Sequence, residues 1–353
     1  MSDAGKPGIV VTGAAGWLGS NLVESLVNGF RDGPDLPEIL AGTNVHAGAF
    51  ASDALRLDTY GDRVKWVTAD VRDMEDLRPL FGRINGGIVI HCAGLIHPRR
   101  IKELYDINVG GTLNVLRTAA SNGASRLVIL SSNSPTGASK KTDTVFDEDS
   151  PYNPYMNYGR SKMLMELRAR ELAEELGIEL VIVRAPWFYG PKQPARQATF
   201  FSMIRKGSAP VVGTGENMRS MAYVDNLSQG LMLAATNPAS SGNTYWIADE
   251  RPYTWNEIIN TIESLLNDEF DLPCKGGRMR LPKFVGTTAR VADALIQRAG
   301  FYNQKIHVLS EVGLTIACDI SRAKNELGYR PRIDLREGMR RSIQSALESG
   351  VAI

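Results

Sequence analysis

The feature that most constrains the fold of this chain is a glycine-rich turn near its start, Thr12-Gly-Ala-Ala-Gly-Trp-Leu-Gly19. An apolar run, Gly8–Gly13, leads into the turn, and apolar residues at helical spacing follow it from Leu18 to Val27. A short apolar run that ends in glycine is typical of a buried parallel strand. Glycine lets the backbone approach a pyrophosphate closely, and the free N–H groups at the start of a helix bind its oxygens. Between a strand and a helix, this motif predicts a dinucleotide site.

After this motif, short apolar runs alternate with stretches whose apolar residues recur at helical spacing. We predict strands over residues 44–50, 64–70, 87–94, 126–132 and 180–184, and helices over 74–81, 104–121 and 158–176. Strands that alternate with helices form a parallel sheet covered by helices on both faces. The expected fold class is therefore α/β, with a doubly wound parallel sheet (Rossmann).

The pattern changes beyond Pro186, where Pro and Gly become frequent, as expected of loops around a ligand. Further on, we predict a helix opening at 223–226, a strand over 243–248 and helices near 255–267, 284–299 and 335–348. We expect a dinucleotide-binding domain from residues 1–185 together with about 223–249. A smaller C-terminal α/β substrate-binding lobe would consist of about 186–222 and 250–353.

The composition argues against several classes of partner. Among 353 residues, 40 are Lys or Arg and 39 are Asp or Glu, so the formal net charge is +1. No long run of one charge sign occurs, so neither a nucleic-acid nor a membrane partner is expected. The first residues lack the apolar stretch of a signal peptide, and no apolar run is long enough to span a bilayer. We predict a cytoplasmic protein that acts on a small molecule.

The cysteines and histidines do not form a pattern typical of a cross-linked or metal-binding protein. Cys92, Cys274 and Cys318 are widely spaced and odd in number, which indicates neither a disulfide framework nor a zinc site. His91 and His97 are the nearest pair of histidines, but no further ligand completes a site around them. We therefore predict no metal.

Tyr158 and Lys162 form a candidate proton-transfer pair. Four residues are about one helical turn, so the phenol and the ammonium lie on one face of a helix. A nearby cation favours the phenolate, and we expect it to lower the tyrosine pKa towards the range where the phenol accepts a proton from an alcohol. Surface helices contain many such pairs, but this one follows a dinucleotide motif. Together the two motifs predict an enzyme that transfers hydride at a carbon bearing oxygen.

Three further strand ends carry candidate site residues. Asp70 ends one predicted strand and could accept from an adenine amino group, or it could cap the helix over 74–81, a role that Asp73 suits better. Ala93-Gly94 presents only small side chains, so a cofactor could lie against the backbone. Ser131-Ser132 offers a hydroxyl to orient a substrate carbonyl or alcohol, although a solvated loop serine is the alternative.

Taken together, these residues resemble a known family. The motifs that carry the resemblance are Thr12-Gly-x-x-Gly-x-x-Gly19, Asp70-Val-Arg-Asp73, His91-Cys-Ala-Gly94, Asn108, Ser131-Ser132, Tyr158-x-x-x-Lys162 and Arg184-Ala-Pro-x-x-Tyr-Gly-Pro191. They look like the extended short-chain dehydrogenase/reductase family, the group of NAD-dependent epimerases and dehydratases that also includes the 3β-hydroxysteroid dehydrogenases. The resemblance runs from about residue 8 to about residue 345, in the family's order.

The resemblance implies roles for individual residues. Tyr158 would be the catalytic acid/base, Lys162 would hold the nicotinamide ribose and lower the tyrosine pKa, and Ser132 would hydrogen-bond the reacting oxygen. The implied cofactor-binding residues are Gly13, Ala15, Gly16, Trp17, Leu18, Gly19, Asp70, Val71, Ala93, Gly94, Asn108, Tyr158, Lys162 and Pro186. The family usually works as a homodimer through a four-helix bundle. Part of that face could come from Met163, Leu164, Leu167 and Leu172, for which the intramolecular core is the alternative.

Substrate choice depends on the second lobe. Arg219 resembles the arginine that binds the pyrophosphate of a nucleotide sugar; a surface arginine, or one paired with a carboxylate, is the alternative. Trp187 would suit an apolar or ring-shaped substrate or pack in a core. Asn133 and Ser134 are also expected to contact the substrate. Sugar 4,6-dehydratases typically have an acidic pair there, so dehydration is disfavoured.

These expectations leave open several forms of one function. The most favoured is an NAD(P)-dependent epimerase or oxidoreductase acting on a nucleotide sugar, followed by a hydroxysteroid-like dehydrogenase acting on an apolar alcohol. A non-catalytic NAD(P)-binding or sensing protein is the alternative from another class. The predicted second strand ends at Ala49–Ser52 with Asp53 beyond, and an acidic residue there favours NAD over NADP. We predict NAD, with NADP as the alternative.

Overall fold

The computed structural model of the chain describes residues 8–30, 36, 40, 45–49, 60–82, 84 and 86–353. Its strands are β1 (Ile9–Thr12), β2 (Val45–Ala49), β3 (Val64–Thr68), β4 (Ile88–His91), β5 (Arg126–Ser132), β6 (Glu179–Ala185), β7 (Trp187–Tyr189), β8 (Pro210–Val212), β9 (Met218–Arg219), β10 (Met221–Tyr223), β11 (Thr244–Trp246), β12 (Tyr253–Thr254) and β13 (Met279–Leu281). Its helices are α1 (Trp17–Asn28), α2 (Met74–Phe81), α3 (Ile101–Leu104), α4 (Thr112–Ser121), α5 (Met156–Leu176), α6 (Ala195–Arg205), α7 (Val224–Thr236), α8 (Trp255–Asp268), α9 (Lys283–Arg298), α10 (Gln304–Glu311), α11 (Ser321–Glu326) and α12 (Leu335–Glu348).

Seven parallel strands form the main sheet in the order β11-β6-β5-β4-β1-β2-β3. From β1, the chain adds β2 and β3 on one side of the sheet, and then β4, β5, β6 and β11 on the other side. This reversal places a crevice at the carboxyl ends of β1 and β4, where open α/β sheets bind their ligands. The predicted fold class, a doubly wound parallel sheet, is confirmed.

Side chains point alternately to the two faces of the sheet along each strand, and apolar side chains pack on both faces. On β1, Ile9 and Val11 join one core with α1 and α7, whereas Val10 joins the other with α2, α4 and α5. A third core, away from the main sheet, is built from α6, α8 and α12 with short strands around them. The C-terminal lobe thus has its own buried apolar centre, although the exact domain boundaries stay a prediction.

Most predicted elements are confirmed, but two regions differ. The helix expected over 104–121 is broken into α3, a π-helical stretch Tyr105–Gly111 and α4. The Pro- and Gly-rich segment after Pro186, expected to be loops, contains β7, α6 and β8. The ends of the predicted second strand, at Asn44 and Phe50, lie outside the described residues.

Helices α9 and α10 are linked by buried polar groups to the start of α5. His307 Nδ1 donates to Asp293 Oδ2 at 2.7 Å, and Gln297 Nε2 donates to Asp293 Oδ1 at 3.0 Å. Gln297 Oε1 in turn accepts from the backbone N–H and the side-chain amide of Asn157, both at 3.0 Å. Burial lowers the pKa of His307, but the hydrogen bond to Asp293 and the charges of Glu311 and Asp293 outweigh it, so the pKa lies above its usual value.

The glycine turn generates a stability prediction. A Cβ on Gly19 would lie 2.0 Å from Gly13 O and 2.8 Å from Ala14 Cα, so backbone would have to move. We expect Gly19→Ala to lower the free energy of unfolding in urea by about 1–3 kcal/mol, even though alanine favours helix. The matched control is Gly286→Ala in α9, where the nearest atom would be Val212 Cγ1 at 3.5 Å. Equal stability of the two variants would contradict the close contact.

His307 generates a pH prediction. A histidine whose pKa is raised by folding stabilises the protein fully below its unfolded pKa of about 6.5. That contribution is lost as the pH rises through the folded pKa. We therefore expect the difference in unfolding free energy between wild type and His307→Gln to shrink as the pH rises from about 6 to about 9. Urea denaturation at a series of pH values measures it.

His97 supplies a control of opposite sign. Burial lowers the pKa of His97 to about 4, so the unfolded chain binds the extra proton first on acidification. Wild type should lose stability relative to His97→Gln as the pH falls below about 6.5. A difference between wild type and His307→Gln that does not change with pH would contradict the raised pKa of His307.

Candidate active site

The glycine turn connects β1 to α1 at the carboxyl edge of the sheet. Gly13 has a φ of 69°, and a Cβ there would lie 2.6 Å from Ala93 N, just beyond β4. A Cβ on Gly16 would lie 3.1 Å from Gly13 O. Gly16 is the residue before α1, and no side chain caps the helix. The turn therefore brings two strands and a helix start together with little side-chain material between them.

A cavity of about 360 Å³ lies beside this turn. The turn, the end of β4 and the segment after β3 form its walls. Seven of the predicted cofactor-binding residues line it: Gly13, Ala15, Gly16, Asp70, Val71, Ala93 and Gly94. The cavity therefore brings together half of the predicted cofactor-binding set, contributed by three separate strand ends.

The other predicted residues of the turn lie behind the cavity wall. Leu18 is 4% exposed and packs in the core, so only its backbone can face a ligand. Trp17 packs against Phe188 with ring centroids 5.0 Å apart and donates Nε1–H to Pro191 O at 2.8 Å. Pro186 is buried between β6 and β7. The Trp17 and Leu18 side chains stabilise the turn rather than line the cavity.

Asp70 is held by its neighbour Arg72. The Arg72 backbone N–H donates to Asp70 Oδ1 at 2.9 Å, and the guanidinium Nη2 donates to Oδ2 at 2.5 Å. Hydrogen bonding by the Arg72 side chain lowers the pKa of Asp70. Asp73 caps α2 by accepting from Glu75 N at 2.9 Å, which confirms that Asp70 is not the cap. Any ligand group that reaches Asp70 must share the carboxylate with Arg72.

Asn108, in the π-helical stretch, fastens the loop after β4 to α5. Its Oδ1 accepts from Leu95 N at 2.8 Å, and its Nδ2 donates to Leu95 O at 2.9 Å and to Ser161 Oγ at 3.1 Å. The side chain is fully buried. π-Helical segments often occur at functional sites. Through Leu95 and Ser161, Asn108 therefore positions their neighbours Gly94 and Lys162. Its amide is not free to face the cavity.

Tyr158 lies in the first turn of α5, beside the end of β5. The helix comes this close because Gly159 has no side chain: a Cβ there would lie 2.5 Å from Ser134 O. Ser134 O also accepts from Tyr155 N at 3.0 Å. Gly159 is not among the residues predicted from the sequence, although it stands inside the Tyr158–Lys162 motif.

The Ser132 hydroxyl faces the Tyr158 phenol closely enough to lower its pKa by hydrogen bonding. Burial has the larger effect and, together with the Glu311 carboxylate, raises the pKa of Tyr158 to about 12. This direction is opposite to the one expected from the Tyr158–Lys162 spacing. The physical reason is that burial outweighs the Ser132 hydrogen bond. Asn133 Oδ1 and Ser134 Oγ also lie near Ser132 Oγ, at 3.3 and 3.4 Å.

Lys162 is buried behind the end of β4. Its Nζ donates to Leu130 O at 2.9 Å, and the residue is 5% exposed. Burial lowers the pKa of Lys162 to about 8, against the attraction of Glu166. A Cβ on Gly94 would lie 3.4 Å from Asn108 Oδ1 and 3.5 Å from Lys162 Nζ. The glycine therefore leaves space directly beside the ammonium.

A buried ion pair that the sequence analysis did not anticipate supports this edge. Arg184 Nη2 donates to Glu166 Oε2 at 2.7 Å, and the two side chains are 3% and 0% exposed. Glu166 also accepts from the Ser131 hydroxyl and, at 2.8 Å, from the Tyr152 phenol. A buried carboxylate is stable only with such partners. Glu166 thus ties α5 to β5 and β6 next to Ser132.

Arg219 is buried in the C-terminal lobe. Its Nη2 donates to Glu311 O at 2.7 Å, and its Nη1 lies 3.9 Å from Glu311 Oε1. Its Nε has no hydrogen-bond partner among the described residues. Burial lowers the pKa of Arg219, against the charge of Glu311. Of the two alternatives to a phosphate site, a surface arginine is therefore wrong, whereas a carboxylate partner is present.

A group of aromatic rings lies on one side of this arginine. The Arg219 guanidinium lies 5.7 Å from the Trp255 ring, which is 6.2 Å from Trp187 and 5.2 Å from Phe200 between centroids. Trp187 is half-buried and packs against the core of the lobe. Because Glu311 affects both Arg219 and Tyr158, this aromatic group and the candidate catalytic tyrosine share one electrostatic environment.

The remaining predictions concern assembly and ions. Leu172 belongs to the core on one face of the sheet, whereas Leu167 is 38% exposed, so the homodimer stays a prediction. The three cysteines are free thiols, and no group of acidic, His or Cys side chains among the described residues is arranged to hold a metal. No described helix combines the length and apolarity that a bilayer crossing requires. Phe50–Asp53, which decide between NAD and NADP, lie outside the described residues.

Three sequence relatives extend over nearly the whole chain. An uncharacterized protein of Sinorhizobium fredii is 45% identical over 98% of this chain and 96% of its own length. The UDP-glucose 4-epimerase of Vibrio cholerae is 25% identical over 97% and 96%. The 3beta-hydroxysteroid-dehydrogenase/decarboxylase isoform 1 of Arabidopsis thaliana is 27% identical over 95% and 79%.

Residues 9–248 match the NAD dependent epimerase/dehydratase family. The match includes the glycine turn, the cavity beside it and the Ser132, Tyr158 and Lys162 cluster. It covers residues 186–222 of the second lobe and ends before its C-terminal part, 250–353, which contains Glu311. The chain therefore belongs to the NAD-dependent epimerase/dehydratase family of the extended short-chain dehydrogenases/reductases, and it is an enzyme of that group with NAD as its cofactor.

Proposed function

We propose that this enzyme transfers hydride at a secondary alcohol or ketone carbon, as an epimerase or an oxidoreductase, with Tyr158 as acid/base and a nucleotide sugar as substrate. The observation that carries the proposal is the meeting of Ser132, Tyr158 and Lys162 at one edge of the sheet, next to the cavity. The full-length likeness to a UDP-glucose 4-epimerase supports this substrate class. The cytoplasmic location remains part of the proposal.

The residues around the cavity fit NAD. Gly13 and Gly16 leave the backbone at the start of α1 open to a pyrophosphate, and Gly94 leaves space beside the Lys162 ammonium for a ribose. A side chain at any of these three positions would fill that space or strain the turn. When bound, NAD supplies the acceptor or donor of the hydride.

Tyr158 moves the proton in this proposal. Its pKa of about 12 keeps the phenol protonated near neutral pH, so it can donate to a carbonyl oxygen that is becoming an alcohol. In the opposite direction the phenol must first lose its proton, which a nearby positive charge favours. Lys162, one helical turn away with a pKa of about 8, is charged at neutral pH and supplies that charge. Ser132 orients the reacting oxygen.

The unpartnered Nε of Arg219 supports an anionic substrate group. A buried N–H without an acceptor is destabilising, and a phosphate oxygen would satisfy it with a charge-assisted hydrogen bond. The half-buried Trp187 could then stack on the rest of the substrate, with Trp255 packed behind it.

A second candidate is a hydroxysteroid-like dehydrogenase. The Glu311 carboxylate, 3.9 Å from Arg219, would repel a diphosphate, and the surrounding aromatic rings suit an apolar ring system. The Arabidopsis relative supports the same alternative. A non-catalytic sensor is less well supported, because it would not need Ser132, Tyr158 and Lys162 together.

Removing the Tyr158 hydroxyl tests the acid/base role. Because proton transfer by a positioned side chain contributes about 10²–10⁴ in rate, Tyr158→Phe should lose that factor in kcat and still bind NAD. The control is Tyr245→Phe, whose hydroxyl donates to Glu326 at 2.7 Å on β11, at the edge of the sheet. Turnover with purified variants and NAD titration by fluorescence measure both. Near wild-type kcat for Tyr158→Phe would show that another group moves the proton.

Arg219 separates the two substrate classes. With a nucleotide sugar, Arg219→Leu should raise KM roughly ten- to hundredfold, since it removes charge-assisted hydrogen bonds. With an apolar alcohol, KM should change little. Arg251→Leu is the matched control, because that arginine pairs with Glu257 on the surface and is 58% exposed. An unchanged KM for every nucleotide sugar that the enzyme turns over would contradict the proposed substrate class.

A further inference from the structure

Helix α9 exposes an apolar stripe. Phe284, Val291 and Leu295 are 68%, 56% and 60% exposed. They stand seven and four residues apart, so they lie on one face of the helix. Phe301, in the loop that follows, is 49% exposed. Large apolar side chains grouped in this way on a protein surface usually mark an interaction site.

The segment around the stripe is strongly basic. Between residues 275 and 305 there is one acidic residue, Asp293, which is fully buried and bound to His307. The basic residues number seven: Lys275, Arg278, Arg280, Lys283, Arg290, Arg298 and Lys305. Within the described part of the chain, Arg278 is the member of this set with an ion-pair partner, Glu263. The exposed surface of α9 therefore carries Lys283 and Arg298 beside the apolar stripe.

The apolar side chains and the positive charge together indicate the kind of partner. A second copy of the chain meeting this face symmetrically would bring like charges together. A nucleic acid would satisfy the charge but not the Phe, Val and Leu side chains. An anionic bilayer surface provides phosphates for the basic groups and an apolar layer directly beneath them.

Although the balanced overall charge predicts no membrane partner, we propose that α9 docks the enzyme on anionic lipid surfaces. Phe284, Val291 and Leu295 would enter the boundary between headgroups and acyl chains, and Lys283 and Arg298 would contact lipid phosphates. At 16 residues, α9 is about 24 Å long and lies flat on the surface instead of crossing the bilayer. The inference stands apart from the proposed substrate, since it rests on the exposed surface of α9 and the residues that flank it.

The same helix borders the active site on its inner side. Gln297 hydrogen-bonds the backbone N–H of Asn157, the residue before Tyr158. An α-helix is about 10 Å across, so the lipid-facing stripe and the start of the catalytic helix lie on opposite sides of one helix. Docking through α9 would hold the active site close to the membrane surface.

Co-sedimentation of the full-length enzyme with vesicles tests the proposal. We expect clear binding to vesicles of phosphatidylcholine and phosphatidylglycerol in equal amounts, and much weaker binding to phosphatidylcholine alone. Lys283→Gln and Arg298→Gln should each weaken binding about fivefold, and added salt should do the same. Leu295→Glu should weaken it roughly tenfold or more, because a charge replaces an inserted apolar chain.

Matched controls keep the result interpretable. Leu347→Glu changes a 36% exposed leucine on α12, and Arg168→Gln changes an exposed arginine on α5; neither should alter vesicle binding. An unchanged thermal midpoint and unchanged NAD affinity in Leu295→Glu would show that it folds. Equal binding of wild type to both vesicle types, or wild-type binding by Leu295→Glu, would overturn the proposal. So would light scattering that shows wild type as a dimer and Leu295→Glu as a monomer, because the stripe would then be a subunit interface.

Discussion

The backbone segments that meet at Gly13 come closer together than any side chain would permit. A Cβ at Gly13 would lie 2.6 Å from Ala93 N, and one at Gly19 would lie 2.0 Å from Gly13 O. This contact fixes α1 against the ends of β1 and β4, where the strand order reverses. Because the strands are parallel and in register, the residues that end β3, β4 and β5 are then brought to the same edge. The cavity beside the turn follows from that close approach.

Burial controls the chemistry at this edge. It lowers the pKa of Lys162 to about 8 and raises that of Tyr158 to about 12, so it favours the neutral form of both groups. Glu166 opposes this effect at Lys162 and is itself held by Arg184. Burial, and not the four-residue spacing from Lys162, therefore sets the direction of the Tyr158 pKa shift. Glu166, held by Arg184, therefore favours the charged form of Lys162, although neither Glu166 nor Arg184 lines the cavity.

Local patterns predicted the sheet, the glycine turn and the Tyr158–Lys162 motif, because each depends on residues close together in the sequence. Features set by tertiary contacts were not predictable in this way. The π-helical stretch is stabilised through Asn108, whose partners Leu95 and Ser161 lie 13 and 53 residues away. The contact of Arg219 with Glu311 spans 92 residues. Pro194 and Gly207 are local signals for the two ends of helix α6. The other Pro and Gly residues of this segment favoured a loop instead, so the helix was not predicted.

Helix α9 reverses the usual arrangement of a surface helix. Its inner face holds the polar Asp293 and Gln297, which are satisfied by His307 and Asn157, whereas its outer face holds Phe284, Val291 and Leu295. Buried polar groups are stable once paired, so the inner face needs nothing more. The outer face keeps apolar surface in water, at a free-energy cost of about 25 cal/mol per Å². A suitable partner must remove this apolar surface from water and also neutralise the surrounding basic side chains. It must therefore be both apolar and anionic, as a lipid surface is.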